Sequence, residues 1–256
     1  MDVKTINVAF MDGKYEMAAR EYGEEAKNGN AECAHNYAYC LLYGIGVEKD
    51  EKMAKSFFTF ATSHIGEASY NLAVMYLHGT GVKRNYKKAV EYMEDAAEKG
   101  IIEAQLYLGI AHTMGQVFEP DVVSISIIPF HTPNYRTEGL LIEGDVDYDP
   151  NNEDMQMAAI RQDLHAAFYW FRRAARHPGD YAEDFARKGK YLYARCFLDG
   201  VGVDFNLNRA NALMLLAAAE GSEDALTYLQ TEAPYVLASV EDKVLINKIK
   251  SFERLG

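Results

Sequence analysis

The chain has 256 residues, 49% of them hydrophobic and 25% charged, which is the composition of a globular protein with one or two domains. Its formal net charge of −12 argues against nucleic acid as a partner, because binding to phosphates needs a basic face. No stretch approaches the roughly 20 apolar residues that cross a bilayer, and the first residues do not resemble a secretory signal, so we expect a cytoplasmic protein without a membrane partner.

The first two predicted repeats, about residues 3–29 and 30–66, introduce a phrase that recurs along the chain. Tyr43-Gly44-Ile45-Gly46-Val47 returns 35 residues later as 78–82, and again as 199–203. In each copy a small residue lies eleven positions before the first glycine, and an alanine lies eight positions after the second glycine (Cys33, Ala68 and Gly189; Ala54, Ala89 and Ala210). A fixed period of this length predicts stacked helical hairpins that complete one another's core.

The three cysteines do not predict a disulfide. Cys33 and Cys40 are seven residues apart on one predicted helix, about 10.5 Å along its axis. A disulfide needs Cα atoms within about 7 Å. We therefore expect buried, inert thiols, together with Cys196, in a reducing compartment.

The third predicted repeat, residues 67–100, shows the pattern most clearly. Apolar residues recur at intervals of three and four from 67 to 78, which predicts a helix. Gly79 and Gly81 end it where positive φ or close backbone contact is needed. Asn85 is the predicted N-cap of a second helix over 86–99, and Gly100 ends that helix.

The fourth predicted repeat, residues 101–177, is interrupted by an insertion at 116–160. Two apolar runs, 122–128 and 140–142, are separated by turn residues and predict a β-hairpin. The insertion holds nine acidic residues against Arg136 alone. A long helix is expected to resume near residue 151 and to run to 177.

The last predicted repeat, residues 181–221, is followed by a C-terminal cap at 222–254. A basic zone begins before this repeat and extends into it, and its members are Arg172, Arg173, Arg176, Arg187, Lys188, Lys190 and Arg195. The zone could neutralise the acidic insertion or bind an acidic partner. Proximity in the sequence favours the insertion.

The recurring small residue, Leu, Gly-x-Gly-Val and paired alanines resemble the Sel-one-like repeat (SLR) family, a relative of the tetratricopeptide repeat. The resemblance implies an all-α solenoid of stacked antiparallel helix pairs that forms a right-handed superhelix in one domain. It also implies that first helices line a concave groove. On that basis the candidate partner-binding residues are Asn36, Tyr39, Tyr43, Tyr70, Asn71, Val74, His78, Ile110, Tyr191 and Arg195. Such a Tyr- and Asn-rich groove suits an extended peptide, although Asn36 and Asn71 also suit a role in tying the helices together.

No motif predicts catalysis, a metal or a cofactor. Asp145, Asp147 and Asp149 resemble the start of a calcium loop, but its sixth position is Pro150 and its twelfth is Gln156, so we interpret them as a solvated acidic loop. The Gly-x-Gly phrases join helices and lack a preceding strand, unlike dinucleotide-binding turns.

The sequence thus favours a non-enzymatic adaptor that binds another protein through the groove and the insertion. Two alternatives stay open: a hydrolase or ligand-binding protein whose site uses the insertion acids, and a partner-specific inhibitor or immunity protein. The identity of the partner and the oligomeric state are not predicted.

Overall fold

A computed structural model of the protein describes residues 2–115, 117, 160, 162–177 and 183–239. Within these ranges the chain forms twelve α-helices and no strand. They are α1 (Val3–Met11), α2 (Tyr15–Lys27), α3 (Ala31–Tyr43), α4 (Glu51–Ala61), α5 (Gly66–His78), α6 (Tyr86–Glu98), α7 (Ile102–Met114), α8 (Leu164–Ala175), α9 (Glu183–Asp199), α10 (Leu207–Ala219), α11 (Glu223–Thr231) and α12 (Pro234–Ala238). The predicted hairpin in the insertion and the helical part of the C-terminal cap beyond residue 239 lie outside the described residues.

The helices fall into two compact units. The first contains α1 to α6 and the start of α7, and the second contains the rest of α7 and the helices from α8 to α12. In the first unit each helix from α1 to α5 packs on the next one in the chain. In the second unit, α8 packs on α9, α9 on α10 and α10 on α11. The predicted all-α architecture of stacked helix pairs is confirmed, whereas the repeat limits and the single domain stay predictions.

Four helix pairs close in the same way. The second helix begins after an N-cap residue whose side chain accepts the N–H three positions later: Asp50 from Met53, Asn85 from Lys88, Asp163 from Ala166 and Asn206 from Arg209. The N–H of the same cap donates to a carbonyl near the end of the first helix, at 2.9 Å for Asp50 to Leu41, 3.0 Å for Asn85 to Tyr76, 3.0 Å for Asp163 to His112 and 2.8 Å for Asn206 to Phe197. Each cap therefore satisfies an N–H of its helix and ties the pair together.

The second glycine of the recurring phrase stacks one pair on the preceding pair. Gly81 has φ +64°, and a Cβ built on it would lie 2.6 Å from the Cβ of Glu51, the first residue of α4. Gly46 meets Tyr15 at the start of α2, and Gly202 meets Leu164 at the start of α8, in the same manner. The close approach predicted for these glycines is confirmed.

Small side chains let the helices of each pair approach closely. The repeat alanines Ala54, Ala89, Ala167 and Ala210 are all 0–1% exposed. The three cysteines are free and buried, as predicted, and burial raises the pKa of the Cys33, Cys40 and Cys196 thiols to about 12 in each case. A thiol with such a pKa stays protonated and unreactive at neutral pH.

The insertion separates α7 and α8, which are joined by the same cap hydrogen bond as the other pairs. In three pairs, the glycine that ends the first helix lies six positions before the N-cap of the second helix (Gly44 to Asp50, Gly79 to Asn85, Gly200 to Asn206). The same step from Gly115 to Asp163 takes 48 positions, so the insertion adds 42 residues. The expected helix from 151 to 177 is wrong at residues 160, 162 and 163: α8 begins at Leu164, because Asp163 is its N-cap.

Candidate partner-binding surfaces

Five of the ten predicted binding residues are buried in the interior of the first unit. Asn36, Tyr39, Tyr70, Asn71 and Val74 are between 0% and 4% exposed. These residues lie on the first helices α3 and α5. Helix α3 packs between α2 and α4, and helix α5 packs between α4 and α6. These side chains therefore pack between helices and present almost no area to a partner.

Asn36 belongs to a buried hydrogen-bond network that joins three helices. The Oδ1 of Asn7 on α1 accepts from the Asn36 Nδ2 at 3.2 Å and from the Tyr22 hydroxyl at 2.5 Å. Tyr22, on α2, is fully buried, and burial raises the pKa of its hydroxyl above the ordinary value. Asn36 therefore has a structural role that joins α3 to α1.

The other two candidates in the first unit occupy equivalent positions. Tyr43 and His78 are the last residues of α3 and α5, directly before the glycines that end those helices, and both are half-buried. The Tyr43 ring lies 4.7 Å from the Tyr39 ring, centroid to centroid. Burial raises the pKa of the Tyr43 hydroxyl, which has no hydrogen-bond partner within the described chain. These two side chains mark the exposed ends of the first helices.

In the second unit, α9 carries an ordered row of polar side chains. The Arg195 guanidinium binds the Asp199 carboxylate through two nitrogens, at 2.8 Å and 3.2 Å, and its NH1 donates to the Tyr191 hydroxyl at 3.1 Å. The hydrogen bonds to Asp199 are the main cause of a raised Arg195 pKa. The Lys188 ammonium lies 5.5 Å from the Tyr191 ring centroid. Ile110, the tenth candidate, is half-buried on α7.

Four of the seven cations of the basic zone are neutralised by acids of the same unit. Arg187 binds Glu183 at 2.6 Å and Asp184 at 2.7 Å, Lys188 binds Asp224 at 2.9 Å, and Lys190 pairs with Glu220. Together with the Arg195 pair, these contacts use acids of α9, α11 and the residue after α10. These four cations are paired with described acids outside the insertion. The expected pairing of the zone with the insertion lies outside the described residues and stays a prediction.

Sequence reasoning missed a basic depression in the first unit. It is formed by the second helices α4 and α6, by Tyr76 of α5 and by the turn after α5. Its lining is Lys52, Lys55, Tyr76, Gly81, Val82, Lys83, Asn85 and Lys88. The available signal was the pair of lysines three apart at the start of α4, followed one repeat later by Lys83, Lys87 and Lys88.

The described residues hold no group of three or more His, Cys, Asp or Glu side chains arranged to bind a metal ion. The acidic run at Asp145 lies outside them. Among the helices that the structure describes, none combines the length and apolarity needed to cross a membrane.

Comparison with known proteins identifies the repeat. The model of the Sel1 repeat matches four segments, residues 31–64, 66–101, 157–178 and 188–222. A Sel1 repeat protein from Oxalobacter formigenes has a similar fold, with a TM-score of 0.69 and 20% sequence identity over 100% of this chain and 86% of that one.

A second solved structure, a protective antigen of uropathogenic Escherichia coli displaying an SLR fold, gives a TM-score of 0.64 and 18% identity over 98% of this chain and 44% of that one. No curated protein matches the sequence. Three of the matched segments, 31–64, 66–101 and 188–222, coincide with the helix pairs α3–α4, α5–α6 and α9–α10, and segment 157–178 contains α8. The chain belongs to the Sel1 repeat family.

Proposed function

We propose that the protein is a non-enzymatic scaffold that binds another protein through the exposed parts of its first helices. Proteins of the Sel1 repeat family are generally scaffolds for protein–protein interaction. The observation that carries the proposal for this chain is the row of Lys188, Tyr191, Arg195 and Asp199 on α9.

This row has the properties of a protein-binding surface. Tyrosine and arginine are enriched among the residues that contribute most to interfaces. The hydrogen bonds from Arg195 to Tyr191 and Asp199 hold both long side chains in place before a partner arrives, which lowers the entropic cost of binding. The side chains of Arg195 and Asp199 are 36% and 39% exposed, so they are accessible as well as ordered.

In the first unit, Tyr43 and His78 occupy the corresponding ends of α3 and α5. They are the members of the predicted set in that unit that keep exposed surface, and we assign them a supporting role in the same type of contact. The insertion is a second proposed contributor, since insertions in repeat proteins often lie at the binding face.

A matched pair of double variants tests the proposal. Tyr191→Ala with Arg195→Ala removes the row on the first helix α9. Tyr169→Ala with Arg173→Ala removes a pair of the same chemistry on the second helix α8, where the Arg173 NH1 donates to the Tyr169 hydroxyl, also at 3.1 Å. Partners captured from the native cell by the parent protein are quantified by mass spectrometry with each variant.

We expect the α9 variant to lose the captured protein partner by tenfold or more, as truncation of a central Tyr and Arg together removes roughly 2 kcal/mol or more of binding. The α8 variant should retain it. Equal retention by both variants would contradict the assignment of the surface to α9, and turnover of a hydrolase substrate by the pure protein would contradict the scaffold itself.

A further inference from the structure

We propose that the basic depression on α4 and α6 is a second interaction surface, which takes an acidic segment of a partner protein. Its lysines Lys52, Lys55 and Lys88 lie on second helices, and it contains none of the first-helix residues assigned above. The inference therefore goes beyond the scaffold function, and its test does not depend on Tyr191 or Arg195.

Three of the lysines that line this depression have no carboxylate partner in the part of the chain that the structure describes. Lys52 and Lys55 on α4 and Lys88 on α6 take part in no ion pair with any described residue. The acid nearest in sequence, Glu51, binds Lys49 instead, at 2.9 Å. In a chain of net charge −12, ammonium groups left without carboxylates at one place create a local positive potential that an acidic partner can use.

One of these cations is held in position. The Lys88 ammonium lies 5.2 Å from the centroid of the Tyr76 ring, within the range of a cation–π contact. The Tyr76 ring in turn stacks on Tyr92, with centroids 5.7 Å apart and planes 8° from parallel. Lys88 therefore loses less side-chain freedom on binding than a lysine that extends into solvent.

The start of α6 adds to the same potential. Its first turn contains Lys87 and Lys88 and no acidic residue, so two cations stand at the positive end of the helix macrodipole. The acidic first-turn residues Glu32, Glu51 and Glu67 of α3, α4 and α5 have the opposite, stabilising sign. This arrangement disfavours the free helix end and favours a bound anion there.

The chemistry fits a segment with several carboxylates. Lysine ammoniums are point charges without the forked geometry that clamps one planar or tetrahedral anion, and here they are spread over two helices. Three such charges match carboxylates distributed along a peptide.

Fluorescence anisotropy with a labelled decapeptide of alternating Glu and Ser, at about 0.15 M salt, tests this inference. The variant carries Lys52→Gln, Lys55→Gln and Lys88→Gln. The control carries Lys4→Gln, Lys14→Gln and Lys27→Gln, which removes the same charge from exposed positions elsewhere in the first unit. A third protein has arginine at 52, 55 and 88.

We expect the variant to bind the peptide about tenfold more weakly than the parent, as three exposed ion pairs predict, while the control and the arginine protein change it less than about twofold. The Gln-for-Glu peptide should not bind. Equal losses in variant and control, or no binding by the parent, would overturn the inference. Competition by inorganic phosphate, or tighter binding of a single-stranded oligonucleotide, would overturn it in favour of a phosphate ligand. The Tyr191→Ala, Arg195→Ala protein should bind the peptide like the parent, so failure here leaves the α9 test unaffected.

Discussion

The backbone of Gly81 lies against Glu51, the first residue of the preceding second helix, so closely that a Cβ at Gly81 would approach the Glu51 carbonyl oxygen to 2.8 Å. The glycine is required both by its positive φ and by this contact. The recurring Gly-x-Gly phrase is therefore a stacking device as well as a turn, since its second glycine lets one helix pair sit on the one before it.

Replacing Gly81 should destabilise the protein more than replacing Gly79. Gly79→Ala puts a side chain at φ +79° but into ordinary contact distance, so we expect a loss of about 1–2 kcal/mol from the backbone alone. Gly81→Ala adds a clash with the start of α4, and we expect a further loss of at least about 1 kcal/mol. Urea unfolding measures both. Equal stabilities of the two variants would show that the contact with Glu51 is not needed.

Removing the insertion should leave the fold intact. The turn at Gly44 corresponds to the turn at Gly115, and Gly44 is followed by Ile-Gly. Replacing residues 116–159 with Ile-Gly restores the six-position step from Gly115 to Asp163. The N–H of Asp163 already donates to the His112 carbonyl at 3.0 Å, so the junction has the geometry of an uninterrupted pair. Circular dichroism should show cooperative unfolding, while binding to the native partner should weaken sharply. Loss of cooperative unfolding would mean that the insertion is part of the core.

The Glu103 carboxyl should make stability depend on pH. Burial, and secondarily the charge of Glu67, raise its pKa from 4.5 to about 7, and its Oε2 is buried without a hydrogen-bond partner in the described chain. The folded state then binds a proton that the unfolded state has lost, so the free energy of unfolding falls as pH rises from about 4.5 to 7, by up to about 3 kcal/mol.

Glu103→Gln should remove this dependence, so that its stability relative to the parent increases as pH rises through that window. Thermal unfolding from pH 4.5 to 8 measures the difference, with the exposed Glu16→Gln as the control for loss of one charge. A constant difference between the Glu103 variant and the parent across the window would contradict the raised pKa.

The thiols should be inert in the folded protein. Burial raises the pKa of Cys33, Cys40 and Cys196 to about 12, and none of them is in a disulfide. A thiol reagent at pH 8 should modify none of the three until denaturant is added, and then all of them. The melting temperature should be the same with and without reductant. Rapid modification of the native protein would refute this.

The local features of the repeat could be predicted from the sequence. The period, the small residues, Asn85 as an N-cap and the glycine turns depend on residues within a few positions of one another, and all of them appear as expected. The predicted start of α8 is too early, because the position of Asp163 is also fixed by the hydrogen bond from its N–H to the His112 carbonyl, 51 positions earlier in the chain.

The candidate surface was less predictable. Position in the repeat suggested that Tyr70, Asn71 and Val74 face a groove, yet neighbouring helices on both sides bury them. Likewise, Lys52, Tyr76 and Lys88 come from three helices, and only stacking brings them to one depression. Helix periodicity, caps and glycine turns are local properties, so most helices and the turn of each pair could be predicted from the amino-acid sequence. Exposure and charge pairing depend on what lies across the interface between helices, so they became known only from the packed fold.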